Sequence, residues 1–352
     1  MRIGLIASPF ISVPPPAYGG TELFIATLAE GLLRLGADVT VYTNGESTVK
    51  AETRWIFRKH EWPLSSELAG VTRELDHSSW SMADADRSCD VIHINSALAL
   101  PFSRLTARPV VCTIHHPYEA PLAELYERNS QATYVAISAH QASQYPSNAA
   151  RVAHHGIDMA RYRFVEKKQP YLCFLGRICP VKGTHNAIAI AHKLGMPLKI
   201  AGEVQPIFRD YFEAKIKPHI DGCNVEFLGE AGLEMKNELL GNATALLFPI
   251  EWDEPFGLAM IESMACGTPV IGFPGGAVEE IIENGISGRI CTSVDEAAAA
   301  LKSEVFYPRL VRGWAEKKFS ADVMARQYYR IYSELLEEPT LAGDFDAEEA
   351  AA

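Results

Sequence analysis

Residues 2–43, RIGLIASPFISVPPPAYGGTELFIATLAEGLLRLGADVTVYT, set the architecture. The opening RIGLIAS is a short apolar run of strand length, and DVTVYT at 38–43 is a second. Between them lie a proline-rich loop, PFISVPPPAYGG, and a helical repeat of apolar residues from Thr21 to about Leu35. Gly36 supplies the stop, because glycine takes up the left-handed turn that ends helices at little cost. Strand, helix and strand in that order make a βαβ unit with parallel strands.

The alternation continues on either side of residue 165. Apolar runs recur at DVIHINS, PVVCTIHH and TYVAIS, and then at YLCFLG, LKIAGE, VEFLGE, ALLFPI and PVIGF. Loops or helix-compatible segments separate them, so the expected fold is α/β, with two tandem Rossmann-like domains. We place the first at residues 1–165 and the second at 166–318. Residues 319–337 hold a helical pattern, SADVMARQYYRIYSELLE from 320, with no evident place in the second sheet. Neither half carries GxGxxG directly after its first strand, which demotes a dinucleotide-dependent dehydrogenase.

Bulk composition narrows the classes further. The 352 residues are 48% apolar, ample for two cores, and the formal net charge of -12 argues against non-specific binding to nucleic acid or anionic lipid. No apolar run reaches membrane-spanning length, and the N-terminal run is too short for a signal peptide. The seven cysteines form no CxxC pair, so we expect no disulfide, no structural zinc and a cytoplasmic setting. Residues 338–352 carry acids and no Lys or Arg, which reads as a disordered acidic tail.

The polar landmarks carry the chemistry. In EWDEPFGLAMIESMACGTPVIGFPGG, residues 251–276, a loop shaped by Pro255 and Gly257 leads into an apolar helix. Such a loop aims amide N–H groups and the positive end of a helix dipole at one point, where a phosphate fits. Glu254 stands just outside the helix, and Glu262 lies about 6 to 8 Å further along its axis. The two carboxylates would bracket the phosphate and read hydroxyls on each side, as a nucleotide sugar requires. In FLGRICPVKGTHNAIAIA, residues 174–191, Arg177 and Lys182 can converge on a diphosphate and stabilise the charge that builds as it departs. The glycine pair in AYGGTE, residues 17–22, with Thr21 as the expected N-cap, offers another anion-friendly helix start. CTIHH, residues 112–116, puts His115 at a strand end.

Two further signals are discounted. Asp84-Ala85-Asp86 spells a DxD, a pair of acids that can hold a divalent cation, but its helical or loop context reads as a solvated face. The mixed run RWIFRKHEWPL, 54–64, suits strand and loop better than a membrane patch.

The stretch from Glu254 resembles the E-x7-E signature of the family-four retaining glycosyltransferases of GT-B fold, and 174–191 resembles their GR-xxxx-KG segment. The resemblance runs from Met1 to about Glu337. It implies that Glu254 binds hydroxyls of the transferred sugar, that backbone at Phe256, Gly257 and Leu258 holds sugar and phosphate, and that Glu262 binds the ribose. It places the loop of Gly20 against the donor phosphates and His115 beside the reaction centre. It also implies a C-terminal helix that crosses back to the first domain. Two positions depart from the pattern, His116 where an acid is usual and His155 where asparagine is usual.

The expected activity is therefore hexosyl transfer, with retention, from a nucleotide-diphosphate sugar to an acceptor hydroxyl. UDP-glucose or a close relative is the expected donor and a small molecule or glycan the acceptor, with Arg177, Lys182, Glu254 and His115 as catalytic candidates and no cofactor or metal required. Two alternatives stay open: a nucleotide-sugar epimerase or inverting transferase with His115 or His116 as base, and a non-catalytic sugar-nucleotide binder.

Overall fold

A computed structural model describes residues 1–16, 19–62, 64, 66–145 and 151–337. The acidic stretch 338–352 lies outside the described residues. Two parallel sheets follow one another along the chain. The first comprises β1 (Arg2–Ile6), β2 (Asp38–Tyr42), β3 (Glu52–Arg54), β4 (Val91–Ile94), β5 (Val110–Ile114), β6 (Thr133–Ala136) and β7 (Arg151–Val152). Among the described residues its order is β3-β2-β1-β4-β5-β6-β7. The second comprises β8 (Leu172–Leu175), β9 (Leu198–Ala201), β10 (Val225–Phe227), β11 (Ala245–Phe248), β12 (Val270–Gly272) and β13 (Gly288–Ile290), in the order β10-β9-β8-β11-β12-β13. Apolar cores fill both faces of each sheet, which is why these strands read as continuous apolar runs rather than alternating ones.

Helices α1 (Gly20–Arg34), α2 (Glu67–Ser88), α3 (Ala120–Glu127) and α4 (Ala139–Gln144) belong to the first sheet. The second sheet carries α5 (Thr184–Leu194), the single turn α6 (Arg209–Tyr211), α7 (Leu233–Asn242), α8 (Leu258–Ala265), α9 (Val278–Ile281), α10 (Val294–Ser303) and α11 (Pro308–Phe319). In each sheet the order reverses beside the first strand, between β1 and β4 and between β8 and β11. Connections leave such a point in opposite directions and open a crevice at the carboxyl ends of the strands, where α/β proteins bind ligands. The loops after β8 and β11 carry Arg177 and Glu254 respectively.

Helix α12 (Ala321–Glu337) returns to the first sheet. Its Met324, Ala325, Tyr328, Ile331 and Tyr332 are buried in one core with Ile25, Leu28 and Leu32 of α1. The two helices approach closely at Gly31, where a Cβ would lie 2.6 Å from that of Ala325. Buried hydrogen bonds lock the contact: His93 Nδ1 to the Tyr332 hydroxyl at 2.7 Å, His93 Nε2 to Thr113 Oγ1 at 2.8 Å, and Thr113 Oγ1 to the Tyr328 hydroxyl at 2.8 Å.

Burial pushes the His93 imidazole down to about 3, so the folded state holds it neutral. A folded pKa below the unfolded value of about 6.5 means that this stability is fully present above pH 6.5 and is lost as pH falls toward 3. The stability gap between the native chain and His93→Gln is expected to narrow by about 2 kcal/mol from pH 7 to pH 5. Urea unfolding of both proteins at the two pH values measures it, and a constant gap would contradict it.

Asp84 and Asp86 correct the expectation of a solvated face. Asp84 accepts from Arg54 Nη1 at 2.5 Å and from the Tyr42 hydroxyl at 2.9 Å, and Asp86 accepts from Thr106. The DxD is thus structural, fixing α2 to the edge of the sheet. No helix among the described residues is long and apolar enough to cross a membrane.

Candidate active site

Two adjoining cavities occupy the cleft between the sheets. One, of about 330 Å³, is lined by Gly20, His115, His155, Arg177, Lys182, Trp252, Glu254, Phe256, Gly257 and Leu258, with neighbours. The other, of about 240 Å³, includes Gly19, Gly20, Arg177, Glu203, Lys236, Leu258 and Glu262. Gly20, Arg177 and Leu258 line both, so they stand where the cavities meet. Arg177, Lys182, Glu254 and His115, with Gly20, Phe256, Gly257, Leu258 and Glu262, therefore all line these adjoining cavities, Glu254 in one and Glu262 in the other.

Local backbone chemistry builds the wall that the second domain contributes. After β8, the turn Pro180–Lys182 ends at Gly183, whose φ of 70° is left-handed. A Cβ there would lie 1.7 Å from the Pro249 carbonyl oxygen, so glycine lets the Lys182 turn press against the loop after β11. Lys182 forms a buried ion pair with Glu254, and its ammonium sits 4.7 Å from the Trp252 ring. Trp252 Nε1 also donates to Glu254 at 2.9 Å. Gly257, at φ 88°, begins α8 with no side-chain cap, leaving the leading amides of the helix unclaimed by any side chain.

Glu262 is 2% exposed and is held from two sides. The Tyr162 hydroxyl donates to Oε1 at 2.8 Å, while Lys236 Nζ donates to Oε1 at 2.9 Å and Oε2 at 3.1 Å. Burial raises the Tyr162 pKa, with the Glu262 charge acting in the same direction, so the phenol stays protonated and donates. The carboxylate is thus oriented, with lone pairs to spare for ligand hydroxyls.

The facing wall comes from the first domain. The N-cap of α1 is Gly19 rather than Thr21, at φ 152° and without a side-chain cap. The cap thus falls two residues before the hydroxyl that suggested it, at a position where glycine is required, since a Cβ on Gly19 would lie 2.7 Å from Pro15. His115 stacks on His155 with centroids 5.6 Å apart and planes 8° apart, and its Nε2 bonds to Asn95 Oδ1 at 2.9 Å. Burial and the neighbouring His155 hold the His115 pKa well below its ordinary value. Burial and His154 push His155 down to about 3. Both rings are neutral and very weakly basic, which does not suit a general base working near neutrality. His116 lines neither cavity, and its ring bonds to the Tyr126 hydroxyl and the Pro117 carbonyl oxygen.

Sequence reading missed Trp252, Lys236 and Tyr162 as site residues. Trp252 lay inside the quoted stretch and carried a signal, being an aromatic two residues from Glu254. Tyr162 and Lys236 lie 100 and 26 residues from Glu262, distances that no local pattern spans. Among the described residues no group of His, Cys, Asp and Glu could hold a metal ion.

Comparison with known proteins agrees with this geometry. Residues 18–161 match the family model Glycosyltransferase Family 4, and residues 159–306 match Glycosyl transferases group 1. The chain is 27% identical over 362 residues to a glycogen synthase of Mycobacterium tuberculosis, covering 86% of each. It is 26% identical over 380 residues to a phosphatidyl-myo-inositol mannosyltransferase of Propionibacterium freudenreichii, covering 95% of each. Among solved structures it resembles AviGT4, a glycosyltransferase involved in avilamycin A biosynthesis, with 26% identity, TM-score 0.75, and 96% of this chain and 98% of that one covered. Two facing Rossmann-like domains, a cleft at both switch points and these matches together make the chain a glycosyltransferase of GT-B fold. It is a hexosyltransferase, and the non-catalytic binding reading falls.

Proposed function

We propose that the chain transfers a hexose, glucose in the first instance, from a nucleoside diphosphate sugar to an acceptor hydroxyl with retention and without a metal. The observation that carries this reading is Arg177 at the junction of two cavities, with Glu254 in one and Glu262 in the other. A diphosphate at the junction would meet Arg177, Lys182 and the leading amides of α8, which together supply the positive charge that the departing group needs. The sugar would then lie against Glu254 and the neutral His115–His155 wall, and the ribose against Glu262. The glycine loop at Gly19 and Gly20 keeps the facing wall free of side chains, so an acceptor can approach from the first domain.

Retention follows in this account from a front-face attack. The acceptor hydroxyl enters on the side from which the diphosphate leaves, and a leaving-group oxygen takes its proton. The low basicity of His115 supports this over the inverting alternative. A solved Anabaena protein of the same fold, Alr3699/HepE, with 19% identity and TM-score 0.72, was captured with UDP and glucose, in line with UDP-glucose as the donor to try first.

Thermal shift with UDP-, GDP- and ADP-sugars tests the donor assignment, since a ligand that binds only the native state raises Tm. UDP-glucose is expected to stabilise the native chain and to stabilise Arg177→Ala much less, with affinity down by about tenfold or more. Equal stabilisation of both would remove Arg177 from the donor site. The anomeric configuration of the product, read by NMR, separates retention from inversion.

A further inference from the structure

Glu280, at the end of α9, is a carboxylate of the second domain whose hydrogen bonds reach the first. Its Oε1 accepts from the backbone amide of His140 at 2.7 Å, and its Oε2 from the amide of Ala139 at 2.8 Å. Both amides begin α4, directly beyond β6. His154 Nε2, in the segment that leads from the first sheet to the second, lies 2.9 Å from the same Oε2. A parallel contact sits beside it, with His140 Nε2 3.7 Å from Asp253 Oδ1. Charge-assisted hydrogen bonds of this length are the strong ones. Although burial works against it, the bonds from His154 and the two amides hold the Glu280 carboxyl below its ordinary range, so it is charged at neutral pH.

On the other side, the segment bearing Glu280 supports the catalytic loop. The Ala277 amide donates to the Glu254 carbonyl at 2.8 Å, and the Gly276 amide to Asp253 Oδ1 at 3.2 Å. The packing leaves no slack: a Cβ on Gly276 would lie 2.1 Å from the Glu254 carbonyl oxygen, and one on Gly275 would lie 2.5 Å from that of Trp252. A displacement of Glu280 therefore carries to Glu254. Domain interfaces within one chain move unless something holds them, and closing a cleft completes catalytic geometry.

We propose that Glu280 is a positioning residue for glycosyl transfer, a clasp that ties the start of α4 to the loop carrying Glu254 and holds the two walls of the cleft at reacting distance. It lines neither cavity and touches no donor in this account, so it acts through Glu254. The proposal rests on the reading of the cleft given above.

The test compares the native chain with Glu280→Ala and Glu280→Gln. Opening of the clasp is read by small-angle scattering of the ligand-free full-length chain, where Glu280→Ala is expected to show a larger radius of gyration. In transfer from UDP-glucose, kcat is expected to fall about 10- to 100-fold, as for a misplaced reacting group, with the Kd for UDP unchanged within about threefold. Glu280→Gln keeps a carbonyl oxygen for one amide and is expected to recover part of both losses; it also serves if the alanine variant misfolds. An unchanged radius, an unchanged kcat, or a loss of UDP affinity as large as the loss of kcat would each overturn the clasp. If the native chain itself transfers no sugar, the donor reading fails on that ground, while the scattering comparison, which needs no substrate, still decides the clasp.

Discussion

Replacing Glu254 by glutamine is expected to lower hexosyl transfer by about 100-fold or more, equivalent to about 2.7 kcal/mol of transition-state stabilisation. Glutamine preserves volume and one carbonyl oxygen, so the loop and the Trp252 contact can survive. The charge is what disappears. Lys182 then loses its counter-ion, and the sugar hydroxyls lose a charged acceptor, which is worth more than a neutral one. Because the pair is largely buried, the variant should also be less stable, and rates must be compared well below its Tm. The loss should appear in kcat/KM for the sugar donor and not in the affinity for the nucleoside diphosphate alone, which lacks the group that Glu254 would touch. Near-native kcat/KM would remove Glu254 from the site.

Gly183→Ala should be the most damaging single methyl in the second domain. The residue sits at φ 70°, where an L side chain costs about 1 to 2 kcal/mol. The added carbon would also fall 1.7 Å from the Pro249 carbonyl oxygen, backbone that cannot swing aside as a side chain can. With overpacking at about 1 to 3 kcal/mol, the total loss should be roughly 2 to 5 kcal/mol. Denaturant unfolding would show it as a lower midpoint, and the surviving folded protein should transfer poorly because Lys182 and Glu254 flank the forced-apart segments. A midpoint within experimental error of the native chain would contradict the packing described for this turn.

The fold was legible because parallel strands buried on both faces leave continuous apolar runs, and because Gly36 punctuates the first helix. Short edge strands left no such mark. Glu52–Arg54, Arg151–Val152 and Gly288–Ile290 are two or three residues long, and they pair through backbone groups that any sequence carries. The crossing helix was visible as a helix, but its docking depends on Tyr328 and Tyr332 reaching Thr113 and His93, more than two hundred residues away. The start of α1 was misread for a local reason, since Thr21 is a good cap by type and the backbone at Gly19 decides instead.

The site divides in the same way. Arg177, Lys182 and Glu254 were readable because each lies on a loop leading to a helix with glycine or proline beside it, and Glu262 because it is a lone acid inside the apolar helix that follows. Their partners were not. Lys236, Tyr162 and Glu280 are ordinary residues on ordinary segments, and only the fold brings the first two to Glu262 and the third to the start of α4. The DxD at Asp84 shows the converse, a motif whose letters fit and whose surroundings assign it to Arg54 and Tyr42.

The decisive measurement is a crystal structure of the chain with bound UDP-glucose. The diphosphate is expected at the junction of the two cavities, within hydrogen-bonding distance of Arg177, with the hexose against Glu254 and the ribose against Glu262. A nucleotide bound elsewhere, or bound in the cleft with its phosphates away from Arg177 and the start of α8, would contradict it.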